Sequence, residues 1–223
     1  MFRDRVEAGR QLAKKLTRYA NRDDVLVLGI PRGGVPVAFE VAQALHAPLD
    51  ILLVRKLGTP GQQELAMGAV ASGGVRIFNQ PVIEELQIPQ EQILEAIAAQ
   101  EAELERREQL YRGVRPGISV RGKIAILVDD GIATGSSMLA AISALRTLQP
   151  KKIVAAVPVA SPNADQKLRQ AADEFVCGET SEWFISIGQF YEDFSPTEDA
   201  DVHALLERAA KVSPHKSEKR GAA

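Results

Sequence analysis

The chain has 223 residues, 45% hydrophobic and 25% charged, a balance that suits one soluble α/β domain with a sizeable core. A formal net charge of −2 gives no bulk attraction to nucleic acid or an anionic membrane, and no apolar run approaches the ~18 residues of a membrane span. The single Cys177 excludes an intrachain disulfide framework, three scattered histidines offer no zinc-ligand spacing, and a terminus charged from Arg3 onward lacks a signal-peptide core. The expectation is a cytoplasmic protein.

Phe2, Val6, Gly9, Ala13, Leu16 and Ala20 recur at intervals of four and three, one face of an amphipathic helix. Arg3, Arg5, Arg10, Lys14 and Lys15 fall mostly on its other faces and read as a solvated surface, with contact to a ligand or a partner as the alternative. Residues 25–30 form a strand buried on both sides that ends in Gly29-Ile-Pro-Arg-Gly-Gly-Val-Pro36. Gly33 and Gly34 let the backbone approach an anion while Arg32 supplies charge. A small apolar helix over 37–45 leads to a third run, 49–54, closed by Arg55-Lys56. Residues 57–64 have the composition of a mobile loop. Residues 66–71 and 74–78 read as a hairpin around Ser72-Gly73-Gly74.

A short helix over 81–86 precedes a long one from Pro89 to about Tyr111, with Ile93, Ile97, Leu104 and Tyr111 on one side and a Glu103–Arg107 pair outside. It reads as scaffold, with a subunit contact as the alternative. After a Pro/Gly connection comes the strand 124–128, Asp129-Asp130, the small and hydroxylated stretch Gly131 to Ser137, and a helix from Met138 to Leu148. A strand over 152–159, a helix from Ser161-Pro162 to Ala172 and a short strand over 174–177 follow, with Cys177 expected in the core. Residues 179–195 hold Trp183, Phe184, Phe190, Tyr191 and Phe194, either a hood for a flat base or an apolar cap over the sheet edge. A helix over 198–210 and a disordered tail over 211–223 end the chain. The alternation predicts one α/β domain over 1–210, a central mostly parallel sheet with helices on both faces.

The chemistry concentrates in 129–137. Backbone N–H groups at a helix start, a glycine-rich approach and the hydroxyls of Thr134, Ser136 and Ser137 suit a phosphate. Two adjacent carboxylates instead suit sugar hydroxyls or a hydrated cation. Val-Asp-Asp-Gly-Ile-Ala-Thr-Gly-Ser-Ser resembles the phosphoribosyl pyrophosphate (PRPP) signature of the type I phosphoribosyltransferases. The bland alternative is an ordinary strand–loop–helix turn with an Asp cap.

The resemblance implies that Asp129 and Asp130 bind the ribose and that Ala133, Thr134, Gly135, Ser136 and Ser137 bind its 5-phosphate. Arg32, Gly33 and Gly34 resemble the family's pyrophosphate loop, with a cis peptide expected near Arg32 or Gly33, and Arg55-Lys56 resembles a pair set at the pyrophosphate. Residues 57–79 would form a lid, 179–195 a hood, and Glu64 would deprotonate the acceptor. The catalytic set is then Asp129, Asp130, Arg55, Lys56 and Glu64. Magnesium would bind through PRPP and water near the two acids, with no direct protein ligand. The implied reaction moves the 5-phosphoribosyl group from Mg-PRPP to a nitrogenous acceptor, for example a nucleobase, releasing pyrophosphate. A homodimer is the family's common assembly. The alternative is a PRPP-sensing regulator that does no chemistry; a PRPP synthase relative fits less well, lacking a separate ATP loop.

Overall fold

The structure, a computed structural model, describes residues 1–212, apart from the side chains of residues 62–64 and 212. In chain order, α1 (Arg5–Lys15) and a 3-10 turn lead to β1 (Val25–Gly29), α2 (Gly34–Leu45) and β2 (Leu49–Ile51). Three strands follow, β3 (Val54–Thr59), β4 (Gln62–Ala71) and β5 (Val75–Phe78). Then come α3 (Gln80–Glu85), α4 (Gln90–Arg112), β6 (Ile124–Val128), α5 (Ser136–Thr147), β7 (Lys152–Ala160), α6 (Pro162–Ala171), β8 (Glu174–Thr180) and α7 (Asp199–Val212).

Five strands make a parallel sheet in the order β2-β1-β6-β7-β8. Successive strand residues point to opposite faces. Val25 and Val27 of β1 pack with α1, α2, α4 and α7, whereas Leu26 and Leu28 pack with α5 and α6. Both faces are therefore covered, which is why β1 and β6 are apolar throughout instead of alternating. From β1 the chain crosses by α2 to β2; from β6 it crosses by α5 to β7, on the other side of the sheet. The loops after β1 and β6 part company at the carboxyl edge, the place where open parallel sheets form a ligand crevice.

The stretch expected as one strand over 49–54 is divided. Sheet pairing through β2 stops at Ile51, and Val54 already belongs to the antiparallel sheet β3-β4-β5. The expected mobile loop over 57–64 is mostly strand as well. Only Pro60 and Gly61 turn the chain, with Gly61 at φ 76°. Gly58 and Thr59 carry turn chemistry, but the pairing absorbs them in register shifts on either side of Gly58. The hairpin between β4 and β5 turns at 72–74, as expected. The expected tail lies almost wholly outside the described residues, α7 running on to Val212.

The first helix starts later than its periodicity suggests. Phe2 leaves it to form a parallel bridge with Tyr191, and Asp4 caps α1 by accepting from the Glu7 N–H at 2.8 Å. The buried face becomes Ala8, Gly9, Leu12 and Ala13. Gly9 marks the crossing with α2: a Cβ there would stand 2.8 Å from both the Val37 carbonyl and the Glu40 Cβ. Gly9→Val should therefore force α1 off α2 and lower stability by about 1–3 kcal/mol, the usual cost of overpacking. A reduced urea midpoint at unchanged slope is the expected reading.

Candidate active site

β6 ends in the buried Val128, and the chain then runs through the two acids into a loop anchored to β7. The Ile132 N–H donates to the Val159 carbonyl at 3.0 Å, and Ser161 returns a bond from its N–H to the Ile132 carbonyl at 2.9 Å. Ser161 Oγ donates to the Ala133 carbonyl at 2.6 Å while capping α6. Gly135, at φ 79°, then turns the chain directly into α5. The backbone N–H groups of Ser137 and Met138 have no acceptor among the described residues, and Ser137 is exposed. Thr134 Oγ1 and Ser136 Oγ lie 3.2 Å apart in front of them. Unpaired N–H groups, hydroxyls and the positive end of α5 form an anion cradle. No Asp caps α5, so the bland strand–loop–helix reading loses its cap.

The two acids are not equivalent. Asp130 is buried and accepts from Arg5 Nε at 2.8 Å. Arg5 in turn donates from Nη1 to the Ser195 carbonyl at 2.7 Å and lies with its Cζ 4.0 Å from the centre of the Phe194 ring. Tyr191 donates its hydroxyl to the Asp130 carbonyl at 2.5 Å. Asp129 is half-buried at the crevice and makes no ion pair among the described residues; its Oδ1 accepts the Asp130 N–H at 2.9 Å. Burial, and then the charge of Asp130, push the Asp129 carboxyl well above its ordinary value. Burial also raises Asp130, opposed by the hydrogen bond and charge of Arg5.

The loop after β1 reaches these acids directly. The peptide bond Pro31–Arg32 is cis, where the sequence led us to expect one. A Cβ on Gly33 would fall 2.1 Å from Asp130 Oδ2, and one on Gly34 would stand 2.7 Å from the Val128 carbonyl and 2.9 Å from Asp129 Oδ1. Only glycine lets the two loops touch. Arg32 is exposed, with Nη1 3.3 Å from Glu198 Oε2 and 3.9 Å from Asp199 Oδ1 at the start of α7.

Arg55 and Lys56 occupy successive positions of β3 and point to opposite faces of its sheet. Arg55 Nε donates to Gln100 Oε1 of α4 at 2.9 Å, while Lys56 is exposed and makes no ion pair among the described residues. The two side chains therefore leave β3 in different directions. Glu64 falls on β4, but its side chain lies outside the described residues.

The aromatic segment is partly buried and partly exposed. Phe190 and Tyr191 are buried against Phe2, Ala8 and Val159, an apolar cap, while Trp183 and Ile185 stand in solvent at 87% and 91% exposure. Ile187 presses on the loop after β6, since a Cβ on Gly131 would meet its Cγ2 at 2.6 Å. Cys177 is half-buried at the core margin; its thiol donates to the Glu179 carbonyl at 3.1 Å, and burial pushes its pKa up. That is no nucleophile. Arg5 escaped the sequence reading because helical periodicity assigns it to the polar side, and nothing local marks it as a partner of a residue 125 positions away.

Residues 3–195 match the phosphoribosyl transferase domain family. The chain belongs to that family. It is 45% identical over 209 residues to two Mycobacterium tuberculosis proteins provisionally named phosphoribosyl transferases, Rv0571c of strain H37Rv and MT0597 of strain CDC 1551. Those alignments cover 94% of this chain and 47% of each relative, so the chain spans about half the length of the curated relatives it matches. It also resembles the crystal structure of TT1426 from Thermus thermophilus, with a TM-score of 0.84, 42% identity, and coverage of 93% of this chain and 98% of that one.

The raised Asp129 carboxyl carries a stability consequence with a definite sign. A raised folded pKa contributes stability that is fully present below the ordinary 3.8 and is lost as pH climbs through the folded value. Asp129→Asn, which has no charge to bury, should therefore melt at a higher temperature than the parent near pH 8. The difference should close towards pH 4, as followed by circular dichroism.

Proposed function

We propose that the protein is a PRPP-dependent phosphoribosyltransferase, which moves the 5-phosphoribosyl group to a nitrogenous acceptor and releases pyrophosphate. The observation that carries this reading is the contact of Gly33 and Gly34 with the Asp130 and Asp129 carboxylates, available only to residues without a Cβ. It sets a candidate leaving-group loop against a candidate sugar site, and the anion cradle at α5 follows a few residues on. One crevice thus offers donors for two phosphate-bearing ends and acceptors for the hydroxyls between them.

In this mechanism the Ser137 and Met138 N–H groups, with the hydroxyls of Thr134, Ser136 and Ser137, hold the 5-phosphate. Asp129 and Asp130 accept from the ribose hydroxyls and orient the ring. The backbone of Gly33 and Gly34, with Arg32, receives the negative charge that develops on the departing diphosphate. Lys56 is a second candidate for that charge; Arg55 serves less directly through its bond to α4. The transition state at C1 would resemble an oxocarbenium ion, so the chain needs no covalent nucleophile and gains rate from positioning. The sheet β3-β4-β5 would exclude water as a lid, and Glu64 would take the proton of an acceptor that carries one. A nucleobase is the acceptor class favoured by an exposed Trp183 on the hood.

The donor set also fits magnesium. Asp129 offers oxygens of the right hardness without a protein cation paired to it, and among the described residues no cluster of three or more His, Cys, Asp or Glu forms a protein cage. The ion would arrive with the substrate, held through its oxygens and water, and would supply charge neutralisation to the diphosphate. A regulator that binds PRPP without turnover is the second reading. It is favoured by the engagement of Arg55 with Gln100 and of Arg32 with Glu198.

Incubation with magnesium, PRPP and a panel of purine and pyrimidine bases should release pyrophosphate with at least one base. Tight PRPP binding with no release from any base would transfer the case to the regulator. Asp129→Asn should abolish PRPP binding in calorimetry; it is a cleaner variant than Asp130→Asn, which would leave the buried Arg5 unpaired at a cost of about 3–5 kcal/mol. Ser137→Ala removes one hydrogen bond to a charged group and should weaken PRPP by about 1.5–3 kcal/mol. Unchanged affinity would assign the phosphate to backbone amides alone.

A further inference from the structure

Arg5 is the most heavily committed cation in the crevice. Its side chain is only 12% exposed, and it comes from a helix that supplies none of the proposed substrate contacts. Its guanidinium uses two edges and a face at once. Nε faces Asp130 Oδ2 at 2.8 Å, Nη1 faces the Ser195 carbonyl at 2.7 Å, and the plane rests against Phe194. The Tyr191 ring lies further out, 6.0 Å from Arg5 Cζ, with its hydroxyl on the Asp130 carbonyl. Gly33 packs on the same carboxylate, a Cβ there falling 3.3 Å from Arg5 Nε. Four segments thus meet around the Arg5–Asp130 pair: α1, the loop after β1, the loop after β6, and residues 191–195. Asp129, one residue earlier, has no such partner among the described residues.

We propose that Arg5 is the positioning residue of the sugar site: it fixes the Asp130 carboxylate in place and fastens the 191–195 segment to it, leaving Asp129 as the acid that opens to ligand. The inference rests on the assignment of the acid pair to the ribose of PRPP. A guanidinium suits the task because its planar fork can meet a carboxylate, a carbonyl and a ring face together, whereas an ammonium meets them only as a point charge. Burial holds the pair in one geometry and keeps bulk water from competing for Asp130. Arg5 itself touches no substrate; it acts through Asp130.

The test compares Arg5→Gln, Arg5→Lys and Phe194→Leu with the parent for PRPP dissociation constant, for KM against kcat, and for melting temperature. Arg5→Gln should weaken PRPP roughly 10–100-fold, chiefly in KM, since an ionic hydrogen bond that orders the acceptor is lost. Arg5→Lys should recover part of that loss, and Phe194→Leu, which keeps the charge but removes the ring, should show a smaller loss. In an Asp130→Asn background, Arg5→Gln should weaken PRPP no further, because the partner through which it acts is gone. If Arg5→Gln does not fold, Arg5→Lys and Phe194→Leu carry the comparison, and parental PRPP affinity in both would overturn the proposal. So would a variant that melts earlier but binds PRPP normally, or a full loss that persists in the Asp130→Asn background. Failure of the parent itself to bind PRPP would instead remove the ribose assignment, and this inference with it.

Discussion

Two carboxylates on consecutive residues at the end of a buried strand repel each other and lose hydration together, and the fold answers that conflict for only one of them. Arg5 neutralises Asp130 from the side of α1, and the Tyr191 hydroxyl satisfies the Asp130 carbonyl. Asp129 keeps its burden, which is visible as a carboxyl driven towards its neutral form. The site therefore carries a local instability that the surrounding sheet must hold in place. The contacts of Gly33 and Gly34 are part of that support, because they bring backbone rather than side chains against both acids.

Topology decides where the conflict can be used. The strand order β2-β1-β6-β7-β8 sends the chain away from β1 in one direction and from β6 in the other. Between the two departures the loops after β1 and β6 face each other without passing over a strand, the usual place for a ligand crevice in an open parallel sheet. The α5 helix begins there with N–H groups that have no acceptor among the described residues, so positive backbone potential lies a few residues from the acids in the chain. The opposition of charge across the crevice comes from strand and helix ends, elements that packing holds still on both faces.

Local chemistry made most of this legible. The unbroken apolar runs at 25–29 and 124–128 announced strands covered on both sides, and the small, hydroxylated stretch behind Asp130 announced the start of α5. The glycines after Arg32 could be read because their chemistry is backbone chemistry, carried by residue type alone. Misreadings arose where pairing partners overrode local preference. Gly58, Thr59, Pro60 and Gly61 look like loop, yet β4 recruits the first two into a bulged strand. Arg5 looked solvated because amphipathic periodicity distinguishes polar from apolar faces and does not distinguish water from a buried carboxylate. Phe2 looked helical because its partner Tyr191 is too distant for any window to see.

That distance matters for assembly. The ring of contacts about Asp130 joins Arg5 to Ser195 across 190 residues of chain, and the Phe2–Tyr191 bridge closes a span of nearly the same size. Ordering so remote a pair costs loop entropy that only the finished core repays. During vectorial synthesis the sheet strands through β7 emerge before Tyr191 and Ser195 do, so a growing chain possesses the acids well before it possesses their clasp. Competence of the crevice is thus expected as the closing event of folding, later than the sheet on which it sits.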